Sequence, residues 1–80
     1  MKTGKRDKSN PHIRNFAACL ADLLAERGMD VRQLALESGL SRQHISYLLR
    51  GERDPRISTV VILADTLDVT TDYLLGYVKA

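Results

Sequence analysis

Arg42, Gln43, Ser46 and Tyr47 lie within six consecutive positions, and Arg50, Arg53 and Arg56 follow at intervals of three. A guanidinium offers a planar fork of N–H donors, and a carboxamide offers two donors and an acceptor. The edges of base pairs in a major groove present the matching groups. Arginine can bond the two acceptors of guanine, and glutamine can bond adenine in a bidentate way. Arg42, Gln43, Ser46 and Tyr47 are therefore candidate base contacts. His44 keeps two readings: it reaches a base or phosphate, or it only lines the turn. Arg32, Arg50, Arg53 and Arg56 are candidates for phosphate contacts, which position a protein without reading sequence. Other chemistries lack their residues. His12 and His44 fall on different elements, and no Ser/His/Asp set, phosphate loop or metal-ligand spacing occurs. An enzyme is not expected, nor is a cofactor or a metal. The single cysteine, Cys19, allows no internal disulfide or cysteine-based metal cluster, and it sits in a helical pattern as a packing residue.

These side chains need a scaffold, and residues 30–51, DVRQLALESGLSRQHISYLLRG, read as two short helices joined by a tight turn. Asp30 can cap the first helix by accepting from the backbone near Gln33, with the Gln33 side chain reaching back. Met29 can pack on Leu34 as a hydrophobic staple. Gly39 is a stop signal at a position expected to need positive φ. Leu40 plugs the corner and Ser41 caps the second helix, about 42–50. In it Ile45, Leu48 and Leu49 share one face, which leaves Arg42, Gln43, Ser46, Tyr47 and Arg50 on the outside.

Three further helices follow from the same signals. Asn10-Pro11 is a cap followed by proline at the first helical position. Ile13, Phe16, Ala17, Leu20, Leu23 and Leu24 then recur at helical spacing up to Arg27-Gly28. Asp54-Pro55 reads as a turn. Ile57, Val60, Val61, Leu63, Ala64 and Leu67 mark a fourth helix, although its β-branched residues favour strand locally. Thr70 caps a short fifth helix, Thr71 to Leu75, ended by Gly76. The expected fold is all-α, a compact bundle of five helices over residues 10–77. Residues 1–9 read as a flexible basic tail, and 78–80 as a C-terminal tail.

Eighty residues suffice for one small domain, and 44% apolar content is ordinary for a globule. No apolar run approaches the roughly 20 residues of a spanning helix, and no hydrophobic segment follows the basic start. A cytoplasmic protein without a membrane partner is expected. Net charge is only +2, but it is unevenly placed. Residues 1–14 carry five basic and one acidic residue, a balance of +4; residues 41–56 balance at +2 and residues 57–78 at −3. Nucleic acid should prefer one side of such a molecule.

The two-helix pattern resembles the helix-turn-helix of the Cro and lambda-repressor-like (XRE) family. The resemblance covers roughly Ile13 to Gly76. It includes Gly28 before the motif, Gly51, Arg53 and Pro55 as a G-x-R-x-P loop, and the closing LADTLDVTTDYLLG. It implies a lambda-repressor-like DNA-binding domain in which Arg42, Gln43 and Tyr47 read bases, with Ser46 beside them. The chain departs from the family at three positions. Many members have an Arg where Leu24 stands and a Glu where Leu49 stands, joined as a salt bridge; replacing both with apolar residues can be neutral or stabilising, so Leu24 and Leu49 are expected to touch. Val31 stands where the family often has a phosphate-gripping Gln, leaving Arg32 to replace that contact.

The implied function is sequence-specific binding of double-stranded DNA by a small transcriptional regulator, a repressor, with helix 42–50 in the major groove. One domain buries little surface, so a homodimer reading two half-sites is expected. Tyr73, Leu75, Tyr77 and Val78 could form the dimer surface or simply close the core. With nearly the whole chain assigned to one domain, control is expected from dimerisation, abundance or a partner. The competing reading is a protein-interaction module of the same fold that has lost DNA binding, supported by Val31 and the acidic end.

Overall fold

Proline opens the first helix because its fixed φ suits that position and its missing N–H forfeits no bond there. The computed structural model describes residues 11–77; the Asn10 cap and the tails at 1–9 and 78–80 lie outside the described residues. Helix α1 (Pro11–Arg27) is followed by α2 (Val31–Ser38), α3 (Arg42–Leu49), α4 (Ile57–Leu67) and α5 (Thr71–Leu74). The third and fifth helices each end one residue earlier than the apolar pattern suggests, because Arg50 and Leu75 serve as their C-caps. No strand occurs among the described residues.

One core holds the five helices. α1 contributes Ile13, Phe16, Ala17, Leu20, Leu23 and Leu24 along a single stripe. Leu34, Ile45, Leu48, Leu63, Leu67 and Leu74 meet that stripe and are fully buried. α3 packs on α1 and α2, α2 also on α4, and α5 on α1 and α4. One face of α3 is thus held from two sides while the opposite face stays open. Leu24 is buried and Leu49 is half-buried against the same cluster, so both departures from the charged pair add apolar surface to one core.

α4 shows packing overriding local preference. Its Ile-Ser-Thr-Val-Val-Ile start suits a strand, but Thr59, Val60, Leu63, Ala64 and Leu67 are buried at helical spacing. The apolar pattern runs wider than the core, however: Ile57 is 83% exposed and Val61 42%.

The helix ends close by a shared device. At the end of α3, Gly51 N–H donates to Leu48 C=O at 3.1 Å and Glu52 N–H to Tyr47 C=O at 3.2 Å, the paired bonds of a Schellman motif. α4 makes the same pair with Asp68 in the left-handed position, φ +58°. The Arg27 guanidinium donates to the Leu67 carbonyl and so ties the end of α1 to the end of α4.

Candidate nucleic-acid interface

The corner that aims α3 is built from caps. Asp30 Oδ1 accepts from Gln33 N–H at 2.8 Å and starts α2. The reciprocal bond expected of the Gln33 side chain is replaced by another: its Nε2 donates to Glu37 Oε2 at 3.2 Å, one turn along the same exposed face. Met29 packs against the core cluster that contains Leu34. Gly39 ends α2 at φ +82°, ψ +5°, donating its N–H to Ala35 C=O at 2.9 Å. Leu40 N–H donates to Ser38 Oγ at 3.2 Å, and the leucine side chain packs against the core. Ser41 Oγ then accepts from His44 N–H at 3.0 Å and starts α3. Three consecutive residues thus turn the chain from α2 into α3, with the Gly39 and Leu40 N–H groups bonded back to α2 and one apolar plug beneath.

The open face of α3 carries the expected residues. Ile45 and Leu48 point into the core, Arg42 and Gln43 are exposed, and His44, Ser46 and Tyr47 are half-buried. Two hollows flank the helix. One brings Arg32 and Arg42 together with Asp30, Gln33, Leu36 and Leu40. The other brings Gln43, His44 and Tyr47 together with Arg53 and Arg56. Ser46 and Arg50 line neither. Arg32 therefore serves the α2 side of the corner, away from Arg53 and Arg56, and Val31 next to it is half-buried against the core.

Contacts within the second hollow order its side chains. Gln43 Nε2 donates to Tyr47 Oη at 3.1 Å. The guanidinium carbon of Arg53 lies 4.4 Å from the centroid of the Tyr47 ring, and that of Arg50 lies 5.3 Å away. Such cation–π contacts are worth about 0.5–1 kcal/mol at exposed sites. Arg50 Nη1 also lies 3.4 Å from Glu52 Oε1, an exposed pair that adds little to stability.

Sequence patterns missed part of this site. Ser58, Thr59 and Ile62 of α4 line the same hollow as Gln43 and Tyr47. Arg56 is the N-cap of α4 and gives it no side-chain cap bond, unlike Asp30, Ser41 and Thr70 at the starts of α2, α3 and α5. First-turn amides without a cap favour anions. The clue is the arginine itself, standing where α2, α3 and α5 have Asp, Ser and Thr.

Toward the C-terminus, Tyr73 and Leu75 are half-buried against the core, Tyr77 is 71% exposed, and Val78 lies outside the described residues. Tyr77 Oη lies 3.5 Å from His12 Nδ1, with ring centroids 6.4 Å apart. Beside them a shallow apolar hollow is lined by His12, Ile13, Pro55, Ile57, Val61 and Leu75, among others. Among the described residues no group of three His, Cys, Asp or Glu is arranged to hold a metal ion, and no helix is long and apolar enough to cross a membrane. Cys19 is half-buried.

Comparison with known proteins agrees with this geometry. The helix-turn-helix family model HTH_3 matches residues 20–74. The uncharacterized HTH-type transcriptional regulator y4dJ of Sinorhizobium fredii is 38% identical over 50 residues, a match spanning 62% of this chain and 65% of that protein. The restriction-modification controller protein C.AhdI from Aeromonas hydrophila superposes with a TM-score of 0.74 at 29% identity, covering 78% of this chain and 94% of that one. The hypothetical transcription factor NHTF from Neisseria shares the fold, with a TM-score of 0.77 at 21% identity over 94% of this chain and 85% of its own. With the corner, the capped second helix and the first three residues of the D-Y-L-L-G ending inside the matched region, this chain belongs to the XRE-type helix-turn-helix family described by HTH_3.

Proposed function

We propose that this chain is a small transcriptional regulator that binds double-stranded DNA sequence-specifically, with α3 in the major groove. The observation that carries this reading is the shared hollow. Gln43 and Tyr47 of α3, Arg53 and Arg56 of the following loop, and the uncapped start of α4 all open to one side. An α-helix fits the width of a major groove, and flanking cations and free helix amides suit the phosphates on either side. In this reading Arg42, Gln43 and Ser46 face base edges, with Tyr47 in the same groove. His44 lines the hollow at the edge of the contact. Arg32, Arg50, Arg53 and Arg56 engage phosphates. Four phosphate contacts per domain give a slope of log K against log salt near −3.6, at about −0.9 per contact.

The likeness to proteins named as regulators supports gene control. A domain bound over a promoter blocks access by occupancy alone, so repression is the sign of control we propose, with the cytoplasm as its place. We also propose that it acts as a homodimer. A single module of this kind buries about 600–1,000 Å², and two-fold symmetry doubles the contact at half-sites roughly 34 Å apart. The surface we assign to the dimer is the apolar hollow between α1, the start of α4 and α5, where exposed Ile57 and Val61 join Leu75, with Tyr77 beside it against His12. Tyr73 contributes there mainly as support, being packed against the core.

The test is selection of bound duplexes from a random pool by the full chain at low salt, read by gel shift and sequencing. A two-fold symmetric motif is expected. Failure to enrich any motif would overturn DNA reading and favour a protein-interaction module.

A further inference from the structure

The Gln43–Tyr47 bond has a consequence for which base Gln43 accepts. A carboxamide has two N–H donors on nitrogen and one acceptor oxygen. In this structure one of those donors is committed, since Gln43 Nε2 donates to Tyr47 Oη at 3.1 Å. What remains is one N–H and the oxygen Oε1. Adenine presents one acceptor, N7, and one donor, the N6 amino group, and so complements that remainder. Guanine presents two acceptors, N7 and O6. A Gln43 held by Tyr47 has only one donor left for two acceptors, and its oxygen faces another oxygen.

The tyrosine is itself held. Its ring is half-buried, and the Arg53 guanidinium stacks over it at 4.4 Å from the centroid. Arg50 approaches the same ring at 5.3 Å. Gln43 and Tyr47 stand four residues apart, where helical side chains meet. The amide is thus oriented before any duplex arrives, which reduces the ordering needed on binding.

We propose that Tyr47 is a positioning residue that sets the Gln43 carboxamide for adenine in an A·T pair and against guanine. This rests on the reading of α3 as a major-groove helix. Removing the hydroxyl frees the amide to turn its NH2 group toward both guanine acceptors, while a phenylalanine ring keeps the stack with Arg53.

Two measurements on the full chain test this. The first needs no DNA. Tyr47→Phe should shift the side-chain amide proton signals of Gln43 in NMR spectra, and Tyr73→Phe should leave them in place. Unmoved signals in Tyr47→Phe would overturn the proposal. The second uses the duplex selected by the wild-type chain, with substitutions at the base pair whose preference disappears in Gln43→Ala. That pair should be A·T. Tyr47→Phe should lower the A·T over G·C preference there by about tenfold, within the range of one bidentate contact, and leave the pair read by Arg42 unchanged. An unchanged ratio, or a Gln43-dependent pair that is not A·T, would overturn the proposal while leaving DNA reading intact. Absence of any selected motif would overturn both.

Discussion

Gly39→Ala isolates the corner from everything it supports. An added Cβ at Gly39 meets no atom within 4 Å, so there is no clash to relieve and the effect is conformational alone. The residue sits at φ +82°, ψ +5°, in the left-handed region. An L-residue there costs about 1–2 kcal/mol. Alanine also removes about 0.4–1 kcal/mol of conformational freedom from the unfolded chain, which acts in the opposite direction. The net expectation is a loss of about 1 kcal/mol, equivalent to a fall in melting temperature of roughly 4–8 °C for a domain of this size. Urea unfolding followed by far-ultraviolet circular dichroism should show a lower midpoint with an unchanged slope, because the surface exposed on unfolding is the same. A variant as stable as the wild type would mean that the turn relaxes to negative φ at no cost. The aim of α3 would then not depend on Gly39.

Asp68→Gly is the complementary change. Asp68 occupies the left-handed position at the end of α4, which Gly28, Gly51 and Gly76 occupy at the ends of α1, α3 and α5; glycine should stabilise the domain by up to about 1 kcal/mol in the same unfolding assay. Arg42→Ala should weaken binding to the selected duplex by about 1–3 kcal/mol and relax preference at one base pair; equal weakening on every sequence would assign Arg42 to phosphate instead. Val61→Glu places a charge on the exposed apolar face without entering the core. It should shift sedimentation velocity profiles from dimer toward monomer while leaving the melting temperature of the monomer nearly unchanged. A dimer population equal to wild type would remove this face from the interface.

Much of the fold is legible in the chain because its signals are local. Asp30, Ser41 and Thr70 announce helix starts by side-chain chemistry, Gly39 and Gly51 announce ends by backbone chemistry, and the leucines of α1 repeat at helical spacing. These features need only neighbours a few residues away. The exposed strip of α3 follows from them, since fixing Ile45 and Leu48 inward leaves Arg42, Gln43 and Tyr47 outward. What remained hidden depends on contacts across the fold. Nothing near Arg27 shows that it will reach the Leu67 carbonyl forty residues away. Ile57 and Val61 fit the helical period of α4, and only the packing of α2 and α5 against it decides that they stay outside the core. Arg53 reads as a free phosphate contact until the Schellman turn at Gly51 folds it back over Tyr47. The Gln33 side chain had two exposed partners within reach, and sequence spacing alone does not rank Glu37 above the Asp30 amide.

If the outer surface of α3 and its flanking hollow meet DNA, bound duplex must perturb those residues first. The most direct test is titration of the isotope-labelled full chain with the selected duplex, following backbone amide shifts residue by residue. The largest changes should fall on residues 41–47, on Arg53 and Arg56, and on the first turn of α4, with Arg32 next. Changes concentrated instead on the Ile57, Val61 and Tyr77 face, with Gln43 and Tyr47 unmoved, would contradict this contact.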